Sequence, residues 1–183
     1  MRLFAALAVP DQVSEQLLRL QSGVQGAKWR PQENFHITLS FYGDVDEQMA
    51  FHLEEALGEI TIPAMDLQVS GLGSFGKKKP FALWAGVDGQ TVTDREKLFS
   101  LADQCAKAGI KAGINLEHRN YQPHLTLAYC RNMTAKAAAQ YFAANDGYLP
   151  MKLSTDKFSL YCSVLGKNFS RYQVLTEFDN SGL

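Results

Sequence analysis

Apolar positions along the chain fall into short runs separated by helix-like stripes. Leu3 to Val9 is a continuous apolar run of strand length, closed by Pro10-Asp11. With Asp11 as the N-cap, Val13, Leu17, Leu20 and Val24 recur at helical spacing, and the glycines at 23 and 26 end that helix. After Pro31, His36 to Phe41 alternates as a strand does and closes at Tyr42-Gly43-Asp44. Met49, Leu53, Leu57 and Ile60 form a second helical stripe, stopped near Pro63. A strand begins at Leu67, Val69 and Gly71, and Ser74 to Pro80 is a turn rich in Lys and Gly. Phe81 to Val87 is a further strand. The pattern predicts a third helix over Asp94–Ala108 with Leu98, Leu101, Ala102 and Cys105 inward, and a fourth over Ala135–Ala144. Strands are predicted at His124–Cys130, Lys157–Ser163 and Arg171–Phe178. Helices and strands mix without a regular βαβ rhythm, so the fold class is α+β with no long linker.

One internal echo stands out. His36-Ile37-Thr38-Leu39 and His124-Leu125-Thr126-Leu127 lie 88 residues apart. Chance would place x-Thr-Leu after two of the four histidines in about two of ten thousand shuffled chains. Side chains at i and i+2 of a strand share a face. His36 and Thr38 therefore point one way, and Ile37, Leu39 and Phe41 the other. The same parity separates His124 and Thr126 from Leu125, Leu127 and Tyr129. If the two half-chains are related by an approximate two-fold, both polar faces meet across one groove. Such a groove suits phosphoester cleavage. Imidazole titrates near neutrality, so one ring can remove a proton while its partner donates one, each transfer typically worth about 10²–10⁴ in rate. The threonine hydroxyls can donate to non-bridging phosphoryl oxygens.

Composition narrows the partners. The 183 residues are 46% apolar and 20% charged, ordinary for a globular domain. Eighteen basic residues against nineteen acidic leave a net charge of −1, which excludes a surface that grips a long duplex but not a local site for one phosphate. No run approaches the roughly 20 apolar residues that cross a bilayer, and Met1 to Pro10 fits a strand rather than a signal peptide. Cys105, Cys130 and Cys162 are odd in number and lack CxxC spacing, which predicts inert thiols in a reducing cytoplasm. A zinc site needs a third ligand beside His36 and His124. His52 and His118 are the candidates, and both read as surface residues, so no metal or other cofactor is expected. Lys77-Lys78-Lys79 reads as a solvated turn or as a steering patch for an anionic end. Trp29 and Trp84 read as core or groove wall, and Tyr161 and Arg171-Tyr172 as packing residues of a strand pair.

The pair HITL and HLTL resembles the signature of the 2H phosphoesterases. The chain is similar within that superfamily to the LigT-like RNA 2′,3′-cyclic phosphodiesterases, also called 2′–5′ RNA ligases. The likeness runs through Arg2–Pro10, Lys28–Gly43, Gly71–Val87, Pro123–Arg131 and Phe158–Leu175. It implies one domain over residues 1–183, a monomer of two lobes with one motif each, and two antiparallel sheets with outer helices around a central cleft. It also implies metal-independent hydrolysis of a terminal ribose 2′,3′-cyclic phosphate, on RNA ends or nucleotides, to a 2′-phosphomonoester. The resemblance makes His36 the proton donor and His124 the acceptor, with Thr38 and Thr126 beside them. The family often carries an arginine five residues after the second histidine, where this chain has Tyr129. Arg131, at seven, needs a bend or bulge to reach the phosphate. Phe41 matches an aromatic position near the substrate base, although parity turns it towards the helices. The family also places the strand pair of Tyr161 and Arg171-Tyr172 near the cleft floor, the alternative to packing. Cleavage of 2′–5′ linked or cyclic oligonucleotides, ligation in reverse, and a non-catalytic module that holds RNA ends are the alternatives.

Overall fold

The computed structural model describes residues 1–76, 78–117, 120–148, 150–166 and 169–180. Nine strands and four α-helices are found there: β1 (Arg2–Ala8), α1 (Asp11–Leu18), β2 (Ala27–Trp29), β3 (His36–Asp44), α2 (Glu47–Gly58), β4 (Met65–Phe75), β5 (Ala82–Gly89), α3 (Val92–Lys111), β6 (His124–Cys130), α4 (Ala135–Asn145), β7 (Met151–Thr155), β8 (Phe158–Val164) and β9 (Arg171–Phe178). They form two antiparallel sheets, one in the order β3-β1-β8-β9 and the other β2-β6-β5-β4-β7. The α+β class holds, and each sheet carries one of the two histidine motifs, on β3 and β6.

The helices begin where local chemistry satisfies free backbone N–H groups. Asp46 accepts from the Met49 amide at 2.8 Å, Thr91 from Asp94 at 3.1 Å and Thr134 from Ala137 at 3.1 Å. The Thr91 cap starts α3 two residues before Asp94, and the helix runs on to Lys111. Asp11 is not a cap. It is the first helical residue, behind Pro10, and α1 stops at Leu18, earlier than the stripe to Val24 implied. Leu20 is still fully buried past that end, where its carbonyl accepts the Tyr141 hydroxyl at 2.8 Å. The apolar periodicity therefore outlives the helix.

The buried sides of both sheets share one core with the helices. Leu3, Leu7, Ile37, Leu67, Leu83, Leu98 and Leu125 are completely covered, each burial worth about 1.5–3 kcal/mol against exposure. Helix α3 packs against β3 of one sheet and β4 and β5 of the other, and the Tyr42 hydroxyl donates to the Cys105 carbonyl at 3.0 Å. With α3 spanning both sheets, β3 and β6 come into contact. The two motif strands are thereby brought together.

Candidate active site

Each histidine opens its strand, and the seven residues from each histidine share one burial alternation. His, Thr and the sixth residue reach solvent, while the second, fourth, fifth and seventh are buried. The local geometry also repeats. His36 Nδ1 lies 2.8 Å from the Asn34 carbonyl and His124 Nδ1 lies 2.7 Å from the Gln122 carbonyl. A carbonyl only accepts, so Nδ1 carries the proton in both rings and Nε2 is left for chemistry. The Asn34 side chain is itself held, its Nδ2 donating to the Ser170 carbonyl at 2.9 Å. Thr38 and Thr126 are half-buried on the same face as their histidines.

Strict parity fails after the fourth residue of both motifs. On β3 the partner register passes from Ser40 to Thr38 as Ala5 passes to Ala6, leaving Leu39 extra. On β6 it passes from Ala128 to Thr126 as Leu83 passes to Trp84, leaving Leu127 extra. These are β-bulges, and each re-aims the residues beyond it. Phe41 and Tyr129, expected to face the helices, are instead 49% and 48% exposed. An arginine lies over each ring, Arg2 at 5.2 Å from the Phe41 centroid and Arg30 at 5.6 Å from that of Tyr129. The bend that Arg131 required is therefore present. The strand nevertheless ends at Cys130, and Arg131 is an exposed residue just beyond it.

The surroundings of the two imidazoles differ. His36 is half-buried against Phe4, at 4.9 Å between ring centroids, and against the edge of Tyr172 at 5.0 Å. Burial is the main cause that lowers its pKa to about 4. The Asn34 carbonyl opposes this, and electrostatic interactions with Arg30 and then His124 add to the lowering. That His124 is felt at His36 places the two rings within electrostatic reach. His124 meets Phe75 edge-on at 5.0 Å and the tilted Trp84 ring at 6.2 Å. Trp84 is seated there because its neighbour on β4 is Gly73, where a Cβ would fall 2.2 Å from the indole.

Several other sequence candidates lie outside this centre. His52 is exposed on α2 beside Glu55 at 3.4 Å. His118 and Lys77 lie outside the described residues, and Lys78 and Lys79 are exposed in the turn before β5. Among the described residues no group of three His, Cys, Asp or Glu side chains is placed to hold a metal. Trp29 packs on Tyr141 and the core. The three thiols are free, and burial pushes that of Cys105 up to about 12. Tyr161 stacks on Phe4, but Tyr172 does more than pack: it touches His36 and accepts a hydrogen bond from Arg30 Nη2 at 3.0 Å. The sequence reading missed Arg30 altogether, along with Phe4 and Phe75. Its one available signal was a charged residue between Trp29 and Pro31, just ahead of the first motif.

Among the described residues no helix is long and apolar enough to cross a membrane. Residues 7–84 and 92–172 match the family described as LigT like phosphoesterase. An RNA 2′,3′-cyclic phosphodiesterase of Thermotoga maritima is 30% identical over 100% of this chain and 97% of its own. One of Aquifex aeolicus is 28% identical, covering 97% and 96%. The Escherichia coli LigT structure in complex with 3′-AMP superposes with a TM-score of 0.77 at 21% identity, covering 98% of each chain. A structure from Thermus thermophilus does so with 0.77 at 24%, covering 98% and 97%.

Proposed function

The chain belongs to the LigT-like phosphoesterase family, and from that premise we propose that it hydrolyses a terminal ribose 2′,3′-cyclic phosphate to a 2′-phosphomonoester. The observation that carries this reading is the pair of imidazoles, each anchored through Nδ1 by a backbone carbonyl and each offering Nε2 from one of two touching strands. Its substrates are RNA ends or nucleotides, in keeping with the names of the enzymes it resembles.

In the reaction His124 takes a proton from water, whose oxygen forms the new P–O bond. The bond from phosphorus to O3′ breaks, and His36 delivers a proton to O3′. Thr38 and Thr126 donate to the non-bridging oxygens as their charge grows. The protons balance: one is taken from water and one returned on the leaving oxygen. Because burial holds His36 neutral in the free protein, the substrate anion has to restore its proton, and an anion beside the ring favours the imidazolium. With a 5′-hydroxyl in place of water the same steps break the P–O3′ bond and form a 2′–5′ linkage, and cleavage of that linkage back to the cyclic phosphate is the reverse of this ligation. No metal takes part in this scheme.

Incubation with each of the four nucleoside 2′,3′-cyclic monophosphates, and with an oligomer ending in one, tests the proposal. The expected product is the 2′-phosphomonoester, at an unchanged rate in excess EDTA. Exclusive formation of the 3′-phosphate contradicts the proposed regiochemistry. Tight binding without product over hours supports an RNA-end-binding module instead.

A further inference from the structure

Arg30 is only 6% exposed, yet among the described residues no carboxylate pairs with it. Charged side chains are rarely withdrawn from water without a counter-ion, because the desolvation cost is large. One guanidinium nitrogen, Nη2, donates to the Tyr172 hydroxyl at 3.0 Å. Nε and Nη1 have no acceptor among the described residues, and neither is a fully buried unsatisfied atom, so both still touch solvent. The group is held rigidly. Tyr129, Phe169 and Tyr172 surround it at 5.6, 5.4 and 5.7 Å from their ring centroids. Its backbone N–H donates to the Leu127 carbonyl at 2.8 Å, and its carbonyl accepts from Gln21 Nε2 at 2.6 Å.

Its position matters as much as its isolation. The backbone bond to Leu127 ties Arg30 to the bulge of the second motif, while the side-chain bond to Tyr172 takes it to the ring that touches His36 in the first. The Arg30 charge is also felt at His36. A planar guanidinium with one of its N–H groups on Tyr172 and the rest open, tied to both histidine motifs and lacking a counter-ion among the described residues, fits an oxyanion with two oxygens to share. We propose that Arg30 binds the substrate's phosphoryl group, the second Nη2–H and a neighbouring guanidinium N–H donating to its two non-bridging oxygens. This rests on the function proposed above. It adds that the bound anion cancels the guanidinium charge acting on His36, so that substrate binding itself assists protonation of the acid.

The test compares adenosine 2′-monophosphate with adenosine by titration calorimetry on the wild type, Arg30→Gln and Arg30→Lys. The expected result is a loss of at least tenfold in nucleotide affinity for Arg30→Gln, a smaller loss for Arg30→Lys and less than a twofold change for adenosine. Equal losses for both ligands, or none for the nucleotide, overturn the proposal by making Arg30 a structural bridge. Should Arg30→Gln fail to fold, the Arg30 Nε–H resonance of the wild type serves instead. It is expected to shift on adding adenosine 2′-monophosphate and not on adding adenosine, and no shift overturns the proposal. The two readings fail separately. A wild type that binds the nucleotide through Arg30 but turns over no cyclic phosphate removes the enzymatic reading alone. Normal turnover with Arg30→Gln within twofold of wild type in kcat/KM removes the role of Arg30 alone.

Discussion

The two motif strands are near copies in backbone and unlike in environment. β3 and β6 share the alternation of burial, the bulge at the fourth residue and the carbonyl that holds Nδ1. Yet His36 is packed by Phe4 and Tyr172 with the Arg30 charge acting on it, whereas His124 is flanked by Phe75 and Trp84. The repeated elements fix where a ring nitrogen points. The unrepeated neighbours decide how readily that ring carries a proton, which is what the proposed acid and base roles require.

The largest effect comes from removing either ring. His36→Ala and His124→Ala are each expected to lower kcat on a 2′,3′-cyclic mononucleotide by at least about 10²–10⁴, with the fold retained in circular dichroism. Normal turnover in either variant breaks the pairing. A 4-nitrophenyl phosphodiester sharpens it, because that leaving group departs without a proton. His36→Ala is expected to recover much of its rate on such a substrate and His124→Ala not. The opposite pattern would exchange the acid and base. Next in size are Thr38→Val and Thr126→Val, each expected to lower kcat about 10²–10³ with little change in KM. A rise in KM at constant kcat would make the hydroxyls ground-state contacts.

The sequence was most legible where one rule acted over a whole element. The two HxTL strands and the buried face of α3 follow from periodicity alone. β2 has three residues, Ala27–Trp29, too few to show a period, and is a strand only because β6 offers its edge. Met151–Thr155 does alternate, but five residues between turns gave no independent reason to prefer a strand. The bulges at Leu39 and Leu127 are a property of how β3 and β6 pair with β1 and β5, which lie far away in the chain. Parity counting therefore placed Phe41 and Tyr129 on the wrong face. Arg30 was illegible for a similar reason: its surroundings come from Leu127, Tyr129, Phe169 and Tyr172, all at least 97 residues onward.

Phe41 and Tyr129 permit a smaller test of the same likeness. Both are exposed five residues past their histidine, and stacking of one base on an aromatic ring is worth about 1–3 kcal/mol. Phe41→Ala is expected to raise KM for a cyclic-phosphate-ended oligomer about tenfold at unchanged kcat. Tyr129→Ala is expected to lower kcat as well, because its ring supports Arg30. Identical effects of the two substitutions would mean that the rings are interchangeable platforms and that the arginines over them play no separate part.

The finest distinction is the titration of His36, followed through its ring Cε1–H resonance. In the free protein its midpoint is expected at about 4, against 6.5 for an ordinary imidazole. Between those values the unfolded chain binds the proton more readily than the folded one. His36 therefore costs stability as pH falls from about 6.5 to about 4, and the loss levels off below that. The melting temperature of His36→Ala is accordingly expected to depend less on pH across this window than that of the wild type. Arg30 ranks behind burial among the causes that lower the midpoint, so Arg30→Gln is expected to raise it only part of the way to 6.5. A bound phosphate acts on the same balance from the other side, by placing negative charge against both groups, and should raise the midpoint further than loss of the guanidinium does. If phosphate leaves the His36 midpoint where it was, the ring does not face the anion, and the acid must be sought at the other strand.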